Sequence, residues 1–139
     1  PDVDRRYVRL LTEKAKWLEG GDALLRQQKG RGNLVPLVTN SRLIYIEAMR
    51  HLGIFELTDL IVTRDLLGVK PKPCSSGILY AVKQLRLDIT NCIFVGDNQF
   101  DHDAALAAGI PYIHVGNNSL PEKACVMQRI SGPHELLSK

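Results

Sequence analysis

Short apolar runs alternate with amphipathic stretches along the whole chain, and the two periods predict alternating strands and helices. From Asp4 to about Glu19 the apolar positions Val8, Leu11, Ala15 and Leu18 fall on one face, while Arg5, Arg6, Glu13 and Lys14 face elsewhere. This predicts a helix, ended by Gly20-Gly21. A second helix is expected from about Asp22, available as its cap, to Lys29, before the Gly30-Arg31-Gly32 turn. Leu34-Val35-Pro36-Leu37-Val38 reads as a short strand ending at Thr39-Asn40, although Pro36 cannot donate a ladder hydrogen bond and so suits a central strand poorly. A third helix is expected from about Arg42 to Leu52, capped by Ser41 and closed by Gly53.

The second half repeats the alternation. Leu60-Ile61-Val62 is a brief strand, followed by a loop carrying Lys70-Pro71-Lys72-Pro73. Ser75 or Ser76 can cap a helix whose apolar stripe is Ile78, Val82 and Leu85. A strand over Ile93 to Val95 leads into an Ala-rich helix from about Phe100 to Ala108, stopped by Gly109. Tyr112 to Val115 is a further strand, Cys125 to Ile130 a short last one, and a terminal helix starts near Pro133. Such alternation predicts an α/β fold: a Rossmann-like parallel sheet with helices on both faces.

Composition adds limits. At 139 residues, 45% hydrophobic and 24% charged, the chain fits one globular domain with its own core. A net charge of +3 with Arg and Lys interspersed among Asp and Glu gives no basic face, so no nucleic-acid partner is expected. No apolar run approaches the ~20 residues of a membrane span, so no membrane partner is expected either. Cys74, Cys92 and Cys125 form an odd, widely spaced set without a CxxC pair, which points to free thiols in a reducing, cytoplasmic compartment. Cys92 reads as a buried strand residue.

The candidate chemistry lies at strand ends. In Ile93-Phe94-Val95-Gly96-Asp97-Asn98-Gln99-Phe100-Asp101 an apolar run ends in Gly-Asp, and a second carboxylate follows four residues on. Asp97 is expected at the carboxyl end of a strand, where open α/β sheets bind ligands, and Asp101 near the start of the next helix. Two such carboxylates suit Mg²⁺, which takes oxygen ligands and completes its shell with water and phosphate; the plainer reading is a turn Asp plus a helix-start Asp. Thr39 offers a hydroxyl, and Asn40 and Ser41 backbone N–H groups, which is either an anion site or a capping turn. Lys70, stiffened by its prolines, suits a phosphoryl oxygen or is a solvated loop lysine, and Lys72 competes for the same role. His102, beside Asp101, is expected on a helix surface.

Taken together, Val38-Thr39-Asn40-Ser41, Lys70-Pro71-Lys72-Pro73 and Gly96-Asp97-Asn98-Gln99-Phe100-Asp101 resemble motifs II, III and IV of the haloacid dehalogenase (HAD) superfamily, in its phosphoglycolate phosphatase-like branch. Gly20-Gly21-Asp22-Ala23-Leu24-Leu25 and Ala104 to Ile110 resemble the flanks of these motifs, so the resemblance covers about Leu18 to Leu137. It implies a Mg²⁺-dependent phosphatase of a small phosphorylated metabolite, working through an aspartyl-phosphate. In that reading Thr39 and Lys70 are catalytic and, with Asn40, bind substrate; Asp97 is catalytic and binds metal, with Asp101 supporting the metal directly or through water.

Motif I, an apolar strand ending in a nucleophilic Asp-x-Asp, is not matched. Asp2-Val3-Asp4 has the spacing, but only Pro1 precedes it and Arg5-Arg6 follow. The resemblance therefore divides the chain into a cap-exit or linker helix over 1–17 and a HAD-like core over 18–139, incomplete at its N-terminus. It also leaves a catalytically silent binding or regulatory module as the alternative. Because the motif I strand is central in the family, the strands ending at Thr39 and Asp97 are expected either to pair with each other or to receive a missing N-terminal segment or a second chain between them.

Overall fold

The computed structural model describes residues 5–17, 19–120 and 124–137. Helices α1 (Arg5–Lys14) and α2 (Gly21–Gly30) lead into strand β1 (Pro36–Val38), helices α3 (Leu43–Ala48) and α4 (Ile54–Leu57), and strand β2 (Leu60–Val62). Helix α5 (Ser76–Gln84), strand β3 (Phe94–Gly96), helix α6 (Gln99–Ala108) and strands β4 (Tyr112–Val115) and β5 (Gln128–Ile130) follow. The fold is α/β and Rossmann-like, with every strand pair parallel.

The sheet comes in two pieces. β1 pairs with β2, and β3-β4-β5 form a separate three-stranded sheet. The strands that end at Thr39 and Asp97 therefore do not pair with each other, contrary to that part of the expectation. Backbone direction explains how each piece holds its own register. The Thr39 N–H donates to the Val62 carbonyl (2.9 Å) and the Asp59 N–H to the Val35 carbonyl (2.8 Å), so odd positions of β1 point at β2. Even positions, Pro36 and Val38, point the other way. Pro36 thus keeps its place in a paired strand because its missing N–H falls on the side away from β2. In the other sheet the Phe94 N–H donates to the Pro111 carbonyl (2.9 Å), which turns Ile93 and Val95 backbone away from β4.

Helices α5 and α6 cover one face, and the 3₁₀ turn over Pro133–Leu136 meets the other. Ile78 of α5, Ala104 of α6 and Ile110 are buried together, with Val38, Val82, Phe94 and Ala108 packed against them. Ile113, Val115 and Ile130 form a second cluster with Leu136. Successive strand residues face opposite sides of a sheet, so Ile113 and Val115 lie across it from Tyr112 and His114. All four residues of β4 are buried, as befits the middle strand of its sheet.

Boundaries differ from the sequence expectation where long-range contacts intervene. α1 is shorter than expected, and Asp4 and Leu18, expected within that helix, lie outside the described residues. Asp22 sits in the first turn of α2 rather than at its cap, which is Gly20 in the left-handed region. The third helix breaks at Met49 into a 3₁₀ turn (Arg50–Leu52) and α4. Its start is held not by Ser41 but by Asp65, whose carboxylate accepts the Leu43 N–H at 2.5 Å and pairs with Arg42 at 3.3 Å. Ser75 caps α5 by position without a side-chain bond, and Ser76 instead accepts the Lys70 N–H (3.2 Å). Cys92 precedes β3 and is half-buried, not a buried strand residue. The terminal helix is a 3₁₀ turn over Pro133–Leu136. The described residues 5–17 are tied to the rest by the Trp17 indole N–H, which donates to the Leu52 carbonyl (2.7 Å), and by contact of α1 with α3.

Asp59 anchors the start of the first half-sheet. Its carboxylate accepts the Val35 N–H (2.6 Å) and pairs with Lys29 of α2 (3.1 Å). The Val35 bond first, and then Lys29, hold its pKa below the ordinary carboxylate range. Asp59→Ala is expected to cost about 1–2 kcal/mol at pH 7 in urea denaturation. A depressed native pKa contributes stability above the unfolded value and loses it as pH falls through the native one. The difference between wild type and variant should therefore shrink in denaturation curves taken below about pH 4.

Candidate active site

Thr39 follows β1 and Asp97 follows β3, each at the carboxyl end of a parallel strand. Thr39, Asn40, Lys70 and Lys72 line one narrow cleft with Val38, Val62 and Gly77. A close approach makes the cleft narrow: a Cβ on Gly77 would meet a Val38 methyl at 2.8 Å, so glycine lets α5 lie against β1. A larger cavity of about 340 Å³, lined by Leu106, Tyr112, Cys125 and Met127 among others, contains none of these polar residues.

The side chains take distinct parts. Asn40 clamps the Lys-Pro loop, its amide donating to the Lys72 carbonyl (3.0 Å) and its oxygen accepting the Lys72 N–H (2.8 Å). The Thr39 hydroxyl oxygen accepts the Ser41 N–H (3.0 Å), so that N–H is already engaged. Lys70 is exposed, while the Lys72 side chain is only 12% exposed and crosses to the other half-sheet. Its ammonium donates to the Val38 carbonyl (3.1 Å) and to the Asp101 carboxylate, and lies 5.6 Å from the centre of the Phe94 ring. Of the two lysines, it is Lys72 that joins the β1 end to the acidic pair.

The acidic pair is built by a strand-turn-helix unit. Asn98 caps α6, its side chain accepting the Asp101 N–H (2.9 Å). Asp101 then turns back, and its Oδ2 accepts the Asp97 N–H (3.0 Å). Gly96 is required by that return: a Cβ there would coincide with the Asp101 carboxylate. Asn118 fixes the other side of the turn by donating to the Asp97 carbonyl (2.8 Å). Partial desolvation, and then the adjacent Asp101 charge, push the Asp97 carboxyl above the usual carboxylate range, against a weaker opposing effect of Lys72.

A buried polar layer lies behind these carboxylates. The His114 ring bonds the Tyr112 hydroxyl (2.9 Å) and the Asn118 carbonyl (2.9 Å). Burial, with the nearby Asp101 and Asp97 charges, pushes the Tyr112 hydroxyl well above its ordinary range. His102 is 3% exposed, not on the helix surface as expected, and its Nε2 accepts the Cys125 N–H (3.0 Å). With Nε2 accepting, Nδ1 carries the proton and donates to Asp103 (2.8 Å). Of the residues not singled out from sequence, Asn98 had a local signal, an Asn just before a helix with Asp three residues on. Asn118 had none, because its contact spans a loop.

Asp97 and Asp101 place carboxylate oxygens, the donor type Mg²⁺ takes, at one strand end, with both Asp101 oxygens already accepting bonds. Among the described residues no group of three or more His, Cys, Asp or Glu could hold a metal ion. A two-carboxylate site leaves the rest of an octahedral shell to water and phosphate oxygens.

With this geometry, the strand-end carboxylates and the lysine loop define the class: residues 2–115 match the family model for haloacid dehalogenase-like hydrolase, and the chain belongs to that family. It is 28% identical over 114 residues to a phosphoglycolate phosphatase of Xanthomonas campestris pv. campestris, covering 81% of this chain and 51% of that protein. It is 32% identical over 122 residues to an N-acetylmuramic acid 6-phosphate phosphatase of Pseudomonas putida, covering 81% of this chain and 54% of that one. The crystal structure of CbbY from Rhodobacter sphaeroides in complex with phosphate has the same fold, with TM-score 0.82 at 21% identity over 94% of this chain and 61% of that one. The chain spans about half the length of the curated relatives it matches. Among the described residues, no helix is long and apolar enough to cross a membrane.

A carboxyl whose native pKa is raised loses stability as pH rises through the window above its unfolded value, here above 3.8. Asp97→Asn removes that loss. In metal-free buffer containing a chelator, the variant is expected to melt above wild type at pH 7. The gap should close as pH falls toward 4, which thermal denaturation followed by circular dichroism will measure.

Proposed function

We propose that this chain supplies the phosphate- and metal-handling part of a Mg²⁺-dependent phosphatase that acts on a small phosphorylated metabolite in the cytoplasm. The observation that carries this reading is the convergence of Thr39, Lys72 and the Asp97–Asp101 pair at the carboxyl ends of β1 and β3. Free Cys74, Cys92 and Cys125 agree with a reducing compartment.

The nucleophile comes from elsewhere in this reading. β1 and β3 each keep one backbone edge unpaired by any described strand, and such edges are stable when paired or covered. A strand entering between them, from an N-terminal segment or a second chain, would bring an aspartate to the same rim and complete the aspartyl-phosphate chemistry. Thr39 would donate its hydroxyl proton to a phosphoryl oxygen, its oxygen already accepting from Ser41. The clamped Lys72 ammonium, and Lys70 from the mouth of the cleft, supply positive charge beside the phosphoryl group. Bound at Asp97 and Asp101, Mg²⁺ would neutralise charge on the transferring phosphoryl group. Phosphoglycolate and N-acetylmuramic acid 6-phosphate, named for the relatives, are both small phosphomonoesters, and they support a substrate of that class.

A second reading, a catalytically silent module, is favoured by one observation: at the end of β3 the Asp101 carboxylate already accepts the Asp97 N–H and the Lys72 ammonium. Turnover of p-nitrophenyl phosphate with Mg²⁺ separates the two, measured for the chain alone and with a synthetic strand ending in Asp-x-Asp. The phosphatase reading expects turnover that falls at least about 100-fold in Asp97→Asn. Turnover unchanged by that substitution excludes the mechanism, and metal binding without turnover under both conditions supports the silent module.

A further inference from the structure

We propose that Asn118, on the loop after β4, is a positioning residue for Asp97, and that His114 acts on the same carboxylate through it. The inference rests on reading Asp97 as a metal ligand. It goes beyond that reading by assigning a role to two residues that lie behind the ligand, on a different strand and its loop.

Asp97 stands one residue past the last rung of its ladder, where Gly96 faces His114. Two side chains hold its backbone there in place of a strand. Its N–H donates to Asp101 Oδ2 (3.0 Å), and its carbonyl accepts the Asn118 side-chain amide (2.8 Å). With both backbone groups tied, the direction in which the Asp97 side chain leaves the chain is set. The first tie comes from within the strand-turn-helix unit; the second comes from 21 residues further along the chain.

Asn118 can hold Asp97 because its own place is fixed from the sheet. Its carbonyl accepts from His114 Nε2 (2.9 Å), and the His114 ring, 0% exposed, meets the Tyr112 hydroxyl at Nδ1 (2.9 Å). A carbonyl cannot donate, so Nε2 carries the ring proton, and Nδ1 of the neutral ring accepts from the hydroxyl. Gly116, in the left-handed region at φ 87°, turns the chain out of β4, and its N–H donates to the Ile130 carbonyl (2.8 Å). The contacts close a ring: Gly96 faces His114, His114 holds Asn118, Asn118 holds Asp97, and Asp97 follows Gly96. Side chains thereby extend the β3–β4 pairing one residue beyond its backbone, to the carboxylate at the rim. Groups that hold a metal ligand in this way commonly set metal affinity by about 10–100-fold. Asn118 is itself exposed and belongs to neither core cluster, so its side chain can be removed with little effect on stability.

The test uses Mn²⁺ as the probe and reads binding by electron paramagnetic resonance, without any turnover, with thermal melting alongside. Asn118→Ala is expected to bind Mn²⁺ about tenfold more weakly than wild type while melting within about 2 °C of it, and Asp97→Asn to weaken binding strongly. His114→Gln, whose amide can still donate to the Asn118 carbonyl, should stay within about threefold of wild type. His114→Leu should weaken binding as Asn118→Ala does, and should cost nothing further in the Asn118→Ala background. Because His114 is buried and its variants can misfold, amide hydrogen exchange of metal-free Asn118→Ala gives a second reading. The Asp97 N–H is expected to exchange several-fold faster than in wild type, with the Phe94 N–H in the ladder unchanged. Mn²⁺ affinity of Asn118→Ala within about twofold of wild type, a loss matched by a fall in melting temperature, or unchanged Asp97 exchange overturns the positioning role while leaving an Asp97-dependent metal site intact. A further loss in the double variant overturns the route from His114 through Asn118. Binding insensitive to Asp97→Asn, or absent from wild type, overturns the metal reading together with this one.

Discussion

A single carboxylate, that of Asp101, ties together the parts of this molecule that hydrogen-bonded strands do not. One oxygen closes the turn after β3 through the Asp97 N–H, and the other holds an ammonium rooted in a loop clamped by the residue after Thr39. The two half-sheets share no ladder, so at the rim where they meet this ion pair does the joining. Its strength comes from shelter: the charges are nearly out of water, and Phe94 lies beneath the ammonium. The same shelter makes the arrangement sensitive, because a buried charge left without its partner is costly.

Glycine placement shows how local sequence serves this rim. The Gly-Asp dipeptide at the end of β3 is more than a turn signal, since the Asp101 carboxylate folds back over Gly96 and leaves no room for a Cβ there. Asn98 then does two things through one residue: its side chain caps α6, and its carbonyl lies 3.3 Å from the Tyr112 hydroxyl. The acidic pair therefore rests on a floor of buried polar groups, Tyr112, His114 and His102, none of which leaves a buried side-chain atom without a partner among the described residues. Such a floor fixes the carboxylates in direction as well as in position.

The alternation of elements was legible from apolar periodicity alone, and so were the strand-end positions of Thr39 and Asp97, because both depend on patterns a few residues long. What escaped sequence reading depended on distance along the chain. Ser41 looked like the cap of α3 by adjacency, but Asp65, across β2, reaches the helix start instead. Lys70 and Lys72 were equivalent as letters, two lysines between prolines, and only the clamp by Asn40 decides which one turns inward. His102 was expected on a helix surface, yet it is buried and its ring accepts the N–H of Cys125, 23 residues further along the chain. The expectation that β1 and β3 either pair with each other or receive another segment between them rested on the cost of bare strand edges. In the structure a long lysine side chain meets part of that need by bonding the Val38 carbonyl.

Pro36 acquires a further meaning from the direction in which it points. The outer margin of β1 consists of backbone from Pro36 and Val38, and of the four polar groups two ordinary residues would show there, the proline lacks one and Lys72 occupies another. A stray strand, including one from a neighbouring copy, meets too few free groups to adhere, which is how natural proteins keep exposed margins from aggregating. Any segment settling there would displace the lysine contact and would have to recoup it elsewhere, through charge or burial of its own.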